Sequence, residues 1–226
     1  MRQMWRENPQ AKKVMREMQE KMTITPLGTS RIIKRALLLK TGQTTSYGSG
    51  SGVDDGAYEI GIAKSYTILT AGQYSGSTNI TVNSKTDAHG NACVIDNNTG
   101  LMWSRKVSAS VGPTSTGALP WTTTGSGGTA EGIFPYVAAA NSAALAGHSD
   151  WRIPNDLELQ TLRDMEAATA NPDSTAFPTG WTGTVWSSTT QPSNTANAMA
   201  TLYGSGGNSS TAKTTANFCA LVRGPI

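Results

Sequence analysis

The stretch GHSDWRIPNDLELQTL, residues 147–162, contains the strongest local folding signal in this chain. Pro154 disfavours helical backbone at the residue before it, so the chain leading into it is predicted to be extended. Asn155 is a preferred N-cap residue, and Glu158 stands three positions later, which is the pattern of a capping box. A helix is therefore predicted to begin directly after Asn155.

The predicted helix runs from Asp156 to about Met165, and its core side is defined by apolar residues at helical spacing: Leu159, Leu162 and Met165. Burial of the preceding Trp151 would contribute about 2–3 kcal/mol. Arg152 is predicted to tie this loop to a carboxylate or to backbone carbonyls, which is a structural role.

Length and composition favour a small domain rich in strands and turns. The chain has 226 residues, of which 15% are charged and 24 are glycine. This length is enough for one ordinary core, or for one domain with extensions. A chain rich in Ser, Thr, Asn and Gly suits short strands and many turns. The six tryptophans and the low net charge argue against disorder for most of the chain.

Basic residues are concentrated at the start of the chain. Residues 1–40 hold ten Lys or Arg against three Glu, whereas the other 186 hold eight basic and twelve acidic residues. Such an arm could dock on an acidic protein surface, remain solvated, or bind acidic lipid or nucleic acid. Nucleic acid is the less favoured partner, because no aromatic stacking pattern is interleaved with the charges.

Targeting signals are not recognisable in the sequence. No apolar run reaches the roughly 18–20 residues of a membrane-spanning helix. The first residues also lack the apolar region of a signal peptide, so assembly in a cytoplasm is expected.

Three regions are predicted along the chain: a basic anchoring arm over residues 1–40, with a helix or a frayed amphipathic arm over 1–22; a turn-rich linker with short strands over 41–90; and a domain over 91–226. The predicted strands of the middle region are YEIGIA (58–63), YTILTA (66–71) and NITVNS (79–84). The predicted elements of the third region are a hairpin over 92–106, a helix over 135–146 closed by Gly147, and strands over 184–190, 198–206 and 217–224.

Four motifs stand in order in the second half: DNNTGLMW (96–103), AGHSDWRIPNDLELQTL (146–162), VWSSTT (185–190) and CALVRG (219–224). Together they resemble the C-terminal domain family of the Legionella collagen-like adhesin over roughly residues 92–224. The resemblance implies an α+β, C-type-lectin-like fold, in which two helices flank a small twisted antiparallel sheet, preceded here by an extended or helical arm and a β-rich segment. Structural roles are predicted for Trp103, Trp151, Arg152, Asn155, Glu158, Trp186 and Arg223.

The same DWRIPNDLEL motif also resembles the formylglycine-generating family, whose oxidase chemistry depends on a cysteine pair that binds copper. Cys93 and Cys219 stand in neither matching context, so this activity is not expected. His89 and His148 form no recognisable catalytic or metal-binding pattern. We therefore expect no enzyme activity, no metal and no cofactor. In the fold that the resemblance implies, the two cysteines could form a disulfide or remain buried free thiols.

The resemblance also implies adhesion, often to carbohydrate, by a homotrimer displayed on a surface. Without a signal peptide, a phage virion appendage on the tail or head is favoured over a protein of the bacterial cell surface. Its expected partners are other copies of the chain, virion proteins through residues 1–50, and a host-surface glycan or protein; membrane insertion is not expected. The alternative is a purely structural virion protein, such as a decoration, collar or adaptor-bound subunit without its own ligand.

A sugar site would combine an aromatic face with short polar side chains, because ring CH groups pack on aromatics while hydroxyls need donors and acceptors. The predicted ligand contacts lie in loops after residue 178: Trp181, Asn194, Asn197, Tyr203, Asn208 and Ser209. The alternative for these positions is that the polar residues only form turns.

Overall fold

A computed structural model describes residues 38–48, 54–70, 72–89, 93–109, 117–122, 131–166, 171–178 and 181–225. These ranges all belong to one unit, Leu38–Ile226. The helix predicted over residues 1–22, and all but the last residues of the predicted basic arm, lie outside the described residues.

The described residues form an α+β domain with mostly antiparallel strands, which confirms the coarse fold class. The helices are α1 (Asp55–Tyr58), α2 (Ile133–Ser142) and α3 (Asp156–Thr161). The strands are β1 (Tyr66–Leu69), β2 (Asn79–Val82), β3 (Lys85–Ala88), β4 (Cys93–Asp96), β5 (Met102–Ser104), β6 (Leu119–Pro120), β7 (Thr184–Thr190), β8 (Asn197–Leu202), β9 (Gly207–Ala212), β10 (Ala216–Asn217) and β11 (Val222–Arg223).

The central sheet has the strand order β1-β4-β5-β11. The β4–β5 turn is held by Asp96, whose Oδ1 accepts the N–H of Asn98 at 2.9 Å and whose Oδ2 accepts the Thr99 hydroxyl at 2.8 Å. Strand β1 lies before the predicted boundary at residue 90, and it pairs with β4 in the register Tyr66↔Asp96. Residues upstream of that boundary therefore form part of the sheet.

The hairpin β2–β3 and the three-stranded sheet β7-β8-β9 complete the framework, together with the short pair β6–β10. Strand β7 matches its predicted range, with a bulge between Trp186 and Thr190. Strand β9 was missed by the sequence analysis, because GNSSTA has little strand propensity by itself; six paired residues of β8 make it a strand. The segment YEIGIA was wrongly predicted as a strand, since it holds the end of α1 and a single bridge at Ile62.

Both long helices end earlier than predicted. Helix α2 stops at Ser142 because Ser77 pairs with the chain beyond it, donating to the Ala144 carbonyl at 3.2 Å and accepting from the Ala146 N–H at 2.9 Å. Helix α3 stops at Thr161, and Met165 is 44% exposed rather than in the core. The backbone N–H of Met165 donates to the Thr41 carbonyl at 2.9 Å. A contact with the upstream chain therefore takes the place of the last predicted helical turn.

Two hydrophobic clusters lie on opposite sides of the central sheet. Alternate strand residues belong to different clusters: Cys93 and Met102 to the first, Val94 and Trp103 to the second. Trp103, Trp151 and Trp186 are buried. The indole of Trp186 donates to the Leu119 carbonyl at 2.7 Å, which satisfies its only polar group.

Cys93 and Cys219 are buried free thiols, which decides between the two alternatives left open by the sequence. Burial raises the pKa of Cys93 to about 12, despite the opposing charge of Arg223. Within the part of the chain that the structure describes, no helix has the length and apolar character needed to cross a membrane.

Candidate functional site

Residues 147–162 anchor an exposed polar surface of the domain. Asn155 Oδ1 accepts the Glu158 N–H at 2.9 Å, and Glu158 Oε2 accepts the Asn155 N–H at 2.8 Å, so the predicted capping box is present. The guanidinium of Arg152 makes a fork to the same carboxylate, at 2.7 and 2.6 Å. The Arg152 backbone also forms a bridge with Val222 of β11, which attaches the start of α3 to the central sheet.

Glu158 remains ionised because its partners outweigh its partial burial. Burial alone would raise the pKa of Glu158, but the hydrogen bonds from Arg152 and the Asn155 N–H bring the net pKa below its ordinary value. The hydrogen bond to Glu158 likewise raises the pKa of Arg152. Arg223 has a similar role on β11, since its Nε donates to Asp150 at 2.6 Å. These charges hold the framework together.

Helix α3 packs against β7 and β8, and β9 forms the outer strand beside them. Side chains of β9 alternate, with Asn208 and Ser210 exposed on the side toward α3. Polar side chains from α3 and the chain just after it, from β9, from the β7–β8 loop and from the start of β8 lie there side by side, in two separate hydrogen-bonded groups. We call this surface the amide face; it consists of Asp156, Gln160, Arg163, Gln191, Asn197, Asn208 and Ser210.

Asn208 is the centre of one half of the amide face. Its Oδ1 accepts from the Arg163 guanidinium at 2.7 Å, and its Nδ2 lies 3.5 Å from Asp156 Oδ2. The same Asp156 oxygen accepts from the side chain of Gln160 at 2.7 Å. Asp156 Oδ1 and Arg163 Nε have no hydrogen-bond partner among the described residues. Both atoms are buried, so the groups that this half of the surface presents outward are those of Asn208.

The second half of the amide face lies around Ser210. Its hydroxyl accepts from the Asn197 side chain at 3.0 Å and donates to the side-chain oxygen of Gln191. Gln191 also donates to the Ser193 hydroxyl at 3.0 Å. Amide and hydroxyl groups, rather than charges, thus dominate this half of the surface.

The structure separates the six predicted ligand contacts. Asn197 and Asn208 lie on the amide face, and Asn194 is close by in an exposed turn, where its Oδ1 accepts the Ala196 N–H at 3.2 Å. Ser209 lies on the opposite side of β9, next to the Thr211 hydroxyl at 3.2 Å. Asn197 begins β8, and Asn208 and Ser209 lie in β9, so these three are strand residues, not loop residues.

Trp181 and Tyr203 require a correction. Both are buried in the second hydrophobic cluster, with ring centroids 5.4 Å apart. The Trp181 indole donates to the Arg105 carbonyl at 3.0 Å, and the Tyr203 hydroxyl to the Leu159 carbonyl at 2.8 Å. Their rings stabilise the core and offer no face to a ligand. Sequence reasoning missed Gln160, Arg163 and Gln191, because only tertiary structure brings them beside β9.

A second polar cluster is buried under the β2–β3 hairpin. Asp87 Oδ2 accepts the Tyr136 hydroxyl at 2.7 Å and the Ala109 N–H at 2.9 Å, while Oδ1 pairs with Lys106 at 2.6 Å. His89 Nε2 lies 2.7 Å from the Tyr136 oxygen and 3.3 Å from Asp87 Oδ2. This network joins the hairpin to α2 and to the chain after β5, so its role is structural.

The described residues thus define a small α+β domain with an exposed polar face and a buried ionic cluster. Across the described ranges, His, Cys, Asp and Glu side chains do not form groups of three that could hold a metal ion.

The family model described as the Lcl C-terminal domain matches residues 92–223, more than half of the chain, and the chain belongs to this family. This confirms the resemblance to the Legionella collagen-like adhesin. None of the curated proteins compared with the chain matches it. Membership indicates an adhesin-like, surface-exposed protein of a family that is not known as enzymatic.

Proposed function

We propose that this chain is a surface appendage of a phage particle, and that its C-terminal, C-type-lectin-like domain binds host-surface carbohydrate through the amide face. The amide face carries the proposal, because it presents the exposed amide of Asn208 and the exposed hydroxyl of Ser210 beside half-buried amide and charged side chains. Each sugar hydroxyl both donates and accepts a hydrogen bond, so a surface that offers both kinds of group matches it.

The amide face favours weak single contacts. Hydrogen bonds formed in exchange for water contribute only about 0.5–1.5 kcal/mol each. Useful adhesion would then come from several copies acting together, and a homotrimer would supply three such faces. Linked sites can exceed single-site affinity by about 10²–10⁴-fold when geometry permits simultaneous binding.

Attachment to the particle is assigned to the basic start of the chain. Residues 1–40 hold ten of the 18 Lys and Arg residues, so their charge differs sharply from that of the rest. A segment of this kind is suited to an acidic protein surface on the virion. The domain described by the structure would then be displayed outward.

The experiment is binding of the full chain to an array of bacterial surface glycans. Asn208→Ala should weaken the retained signal about tenfold, since it removes the residue that joins Arg163 and Asp156. Ser209→Ala is the matched control, because Ser209 neighbours Asn208 but lies on the opposite side of β9. Thermal unfolding of both variants verifies that they remain folded.

Equal weakening by the two variants would refute the assignment of the amide face. If no glycan retains the full chain, but a virion protein binds it through residues 1–50, the chain is a structural virion subunit instead.

A further inference from the structure

A cavity of about 160 Å³ lies between the upstream segment and the chain that follows α3. The residues that matter for its chemistry are Lys40, Gly42, Lys64, Tyr66, Asp164 and Asp173. The first four precede residue 92, where the family match begins, whereas the two aspartates lie inside that match. The family domain alone therefore does not contain this site.

The cavity is formed where the upstream segment contacts the chain after α3. Glu166 fixes the upstream segment, because its carboxylate accepts the N–H groups of Thr44 and Thr45 at 2.6 and 3.0 Å. Gly42 has a φ of +100°, and a Cβ there would lie 2.2 Å from Asp164 Oδ1. Glycine is favoured at this position because its φ is positive and because a Cβ would displace the Asp164 carboxylate.

Lys64 supplies a donor that the protein itself positions. Its ammonium donates to the carbonyls of Arg163 and Thr41, the latter at 3.4 Å. These contacts use two of its three N–H groups, and the described residues place no acceptor on the third. Burial lowers the pKa of Lys64, while the negative charges of Asp164 and other aspartates oppose that shift. The amine is thus held at the cavity wall with hydrogen-bonding capacity to spare.

Two carboxylates supply acceptors. Asp164 Oδ1 accepts the Glu166 N–H at 3.1 Å, and Asp173 Oδ1 accepts the N–H groups of Thr175 and Ala176 at 2.8 Å each. In both carboxylates, the described part of the chain places no donor on Oδ2. Each side chain is therefore fixed through one oxygen and can accept a further hydrogen bond through the other.

Tyr66 supplies a neutral hydroxyl beside these groups. Its ring is held edge-on by Phe177, with centroids 5.4 Å apart and an interplanar angle of 88°. Burial, reinforced by Asp96, raises the pKa of Tyr66 above its ordinary range, so the hydroxyl keeps its proton. It can donate to or accept from a ligand, and the ring offers an apolar edge.

We propose that this cavity binds one neutral sugar ring, as a subsite of the glycan proposed above, on which this inference rests. Lysines and aspartates are present in equal number, and Lys40 is also paired with Glu59 at 2.9 Å. In so small a space, an anionic ligand would be repelled by the aspartates and a cationic ligand by the lysines. Each hydroxyl of a neutral sugar can instead accept a hydrogen bond from Lys64 and donate one to an aspartate.

Arg163 connects the two sites. Its carbonyl accepts from Lys64 in the cavity, and its guanidinium donates to Asn208 on the amide face. A glycan with more than one sugar residue could contact both, with one ring in the cavity.

The test uses the full chain and saturation-transfer NMR with methyl glucoside, methyl galactoside and methyl mannoside as probes. Glucuronate and glucosamine serve as anionic and cationic counterparts of similar size. At least one neutral glycoside should bind more tightly than both charged sugars. Tyr66→Phe should weaken it about fivefold, and Asp173→Asn about tenfold or more, since the second change removes an acceptor that carries charge.

Tyr58→Phe is the matched control, because this tyrosine is 58% exposed and lies outside the cavity lining. Asp173→Asn retains the Oδ1 that holds the turn, so its fold is preserved. Neutral binding that is lost in the two cavity variants and kept in Tyr58→Phe supports the inference.

The experiment distinguishes failure of the cavity assignment from failure of the proposed function. Neutral binding that persists in both cavity variants overturns the cavity assignment and leaves carbohydrate binding standing. Tighter binding of a charged sugar overturns the ligand class. If none of the sugars binds and the glycan array is also negative, both the inference and the proposed function fail.

Discussion

Replacing Asp87 by Asn should destabilise the domain strongly, although the two side chains have nearly the same size and shape. One oxygen of Asp87 receives two donors, the Tyr136 hydroxyl and the Ala109 N–H, while the other faces the Lys106 ammonium. An amide has one oxygen and one NH₂ group, so whichever way it is turned, a donor must face a donor. The carboxylate is only 1% exposed, which leaves water little access to relieve this conflict.

The magnitude follows from burial and charge. Removing one partner of a buried ion pair costs about 3–5 kcal/mol, because the other charge stays desolvated. Lys106 keeps 20% of its side chain exposed, which places the expected loss near the lower end, at about 3 kcal/mol. The matched control is Asp150→Asn, whose carboxylate pairs with Arg223 but is 57% exposed; it should cost about 1 kcal/mol or less.

The acid sensitivity of this site has a definite sign. Burial raises the pKa of Asp87, but the hydrogen bond and charge of His89, with Lys106 and the Ala109 N–H, bring it to about 2 from an ordinary 3.8. A lowered folded-state pKa contributes stability above pH 3.8 that is lost as the pH falls toward about 2. That contribution is about 2 kcal/mol.

The assay is urea unfolding of the full chain, followed by tryptophan fluorescence, at neutral pH and again between pH 4.5 and 2.5 by about half-unit steps. The wild type should lose stability over this range, and Asp87→Asn should lose about 1.5 kcal/mol less than the wild type, because the scan ends above the folded-state pKa of about 2. Equal free energies of unfolding for Asp87→Asn and Asp150→Asn at neutral pH would refute the reasoning from burial.

Three further outcomes are expected. Asn155→Ala should lower the free energy of unfolding by about 1 kcal/mol, because the N-cap is lost. Asn155→Asp should keep most of the wild-type stability, because aspartate is also a good N-cap; equal losses of stability in the two variants would contradict the capping role. Trp186→Ala should cost about 3–5 kcal/mol in chemical denaturation, because it leaves a large cavity and an unpaired Leu119 carbonyl; a loss below about 1 kcal/mol would show that the site is not core. Cys93 and Cys219 should react with a thiol reagent only after unfolding, since burial raises the pKa of both; rapid labelling of the native chain would contradict their burial.

Local sequence signals predicted those features whose partners lie only a few residues apart. The capping box needs only Asn155 and Glu158, and the β4–β5 turn needs only the segment that begins at Asp96. Strand β7 was also predicted in full, because its apolar and β-branched residues fit a strand without help from neighbours.

Features that depend on distant pairing were not predictable in this way. Strand β9 exists because β8 pairs with it, and α2 ends where Ser77 pairs with the chain beyond Ser142. Tryptophan is a residue type on which sugar rings often stack, yet Trp181 is buried in the second hydrophobic cluster. Residue type alone does not determine whether an aromatic ring is buried.

The sequence by itself determined the family, the capped start of α3 and the use of tryptophans in the core, because each depends on residue identity at short spacing. The tertiary structure alone decided which polar groups become neighbours: Asn208 with Arg163, Asp87 with Lys106, and Lys64 with Asp164. Pairing between residues remote in the chain is set by the packing of whole strands and helices, and burial then decides which of those polar groups are used inside the protein and which remain available to a ligand.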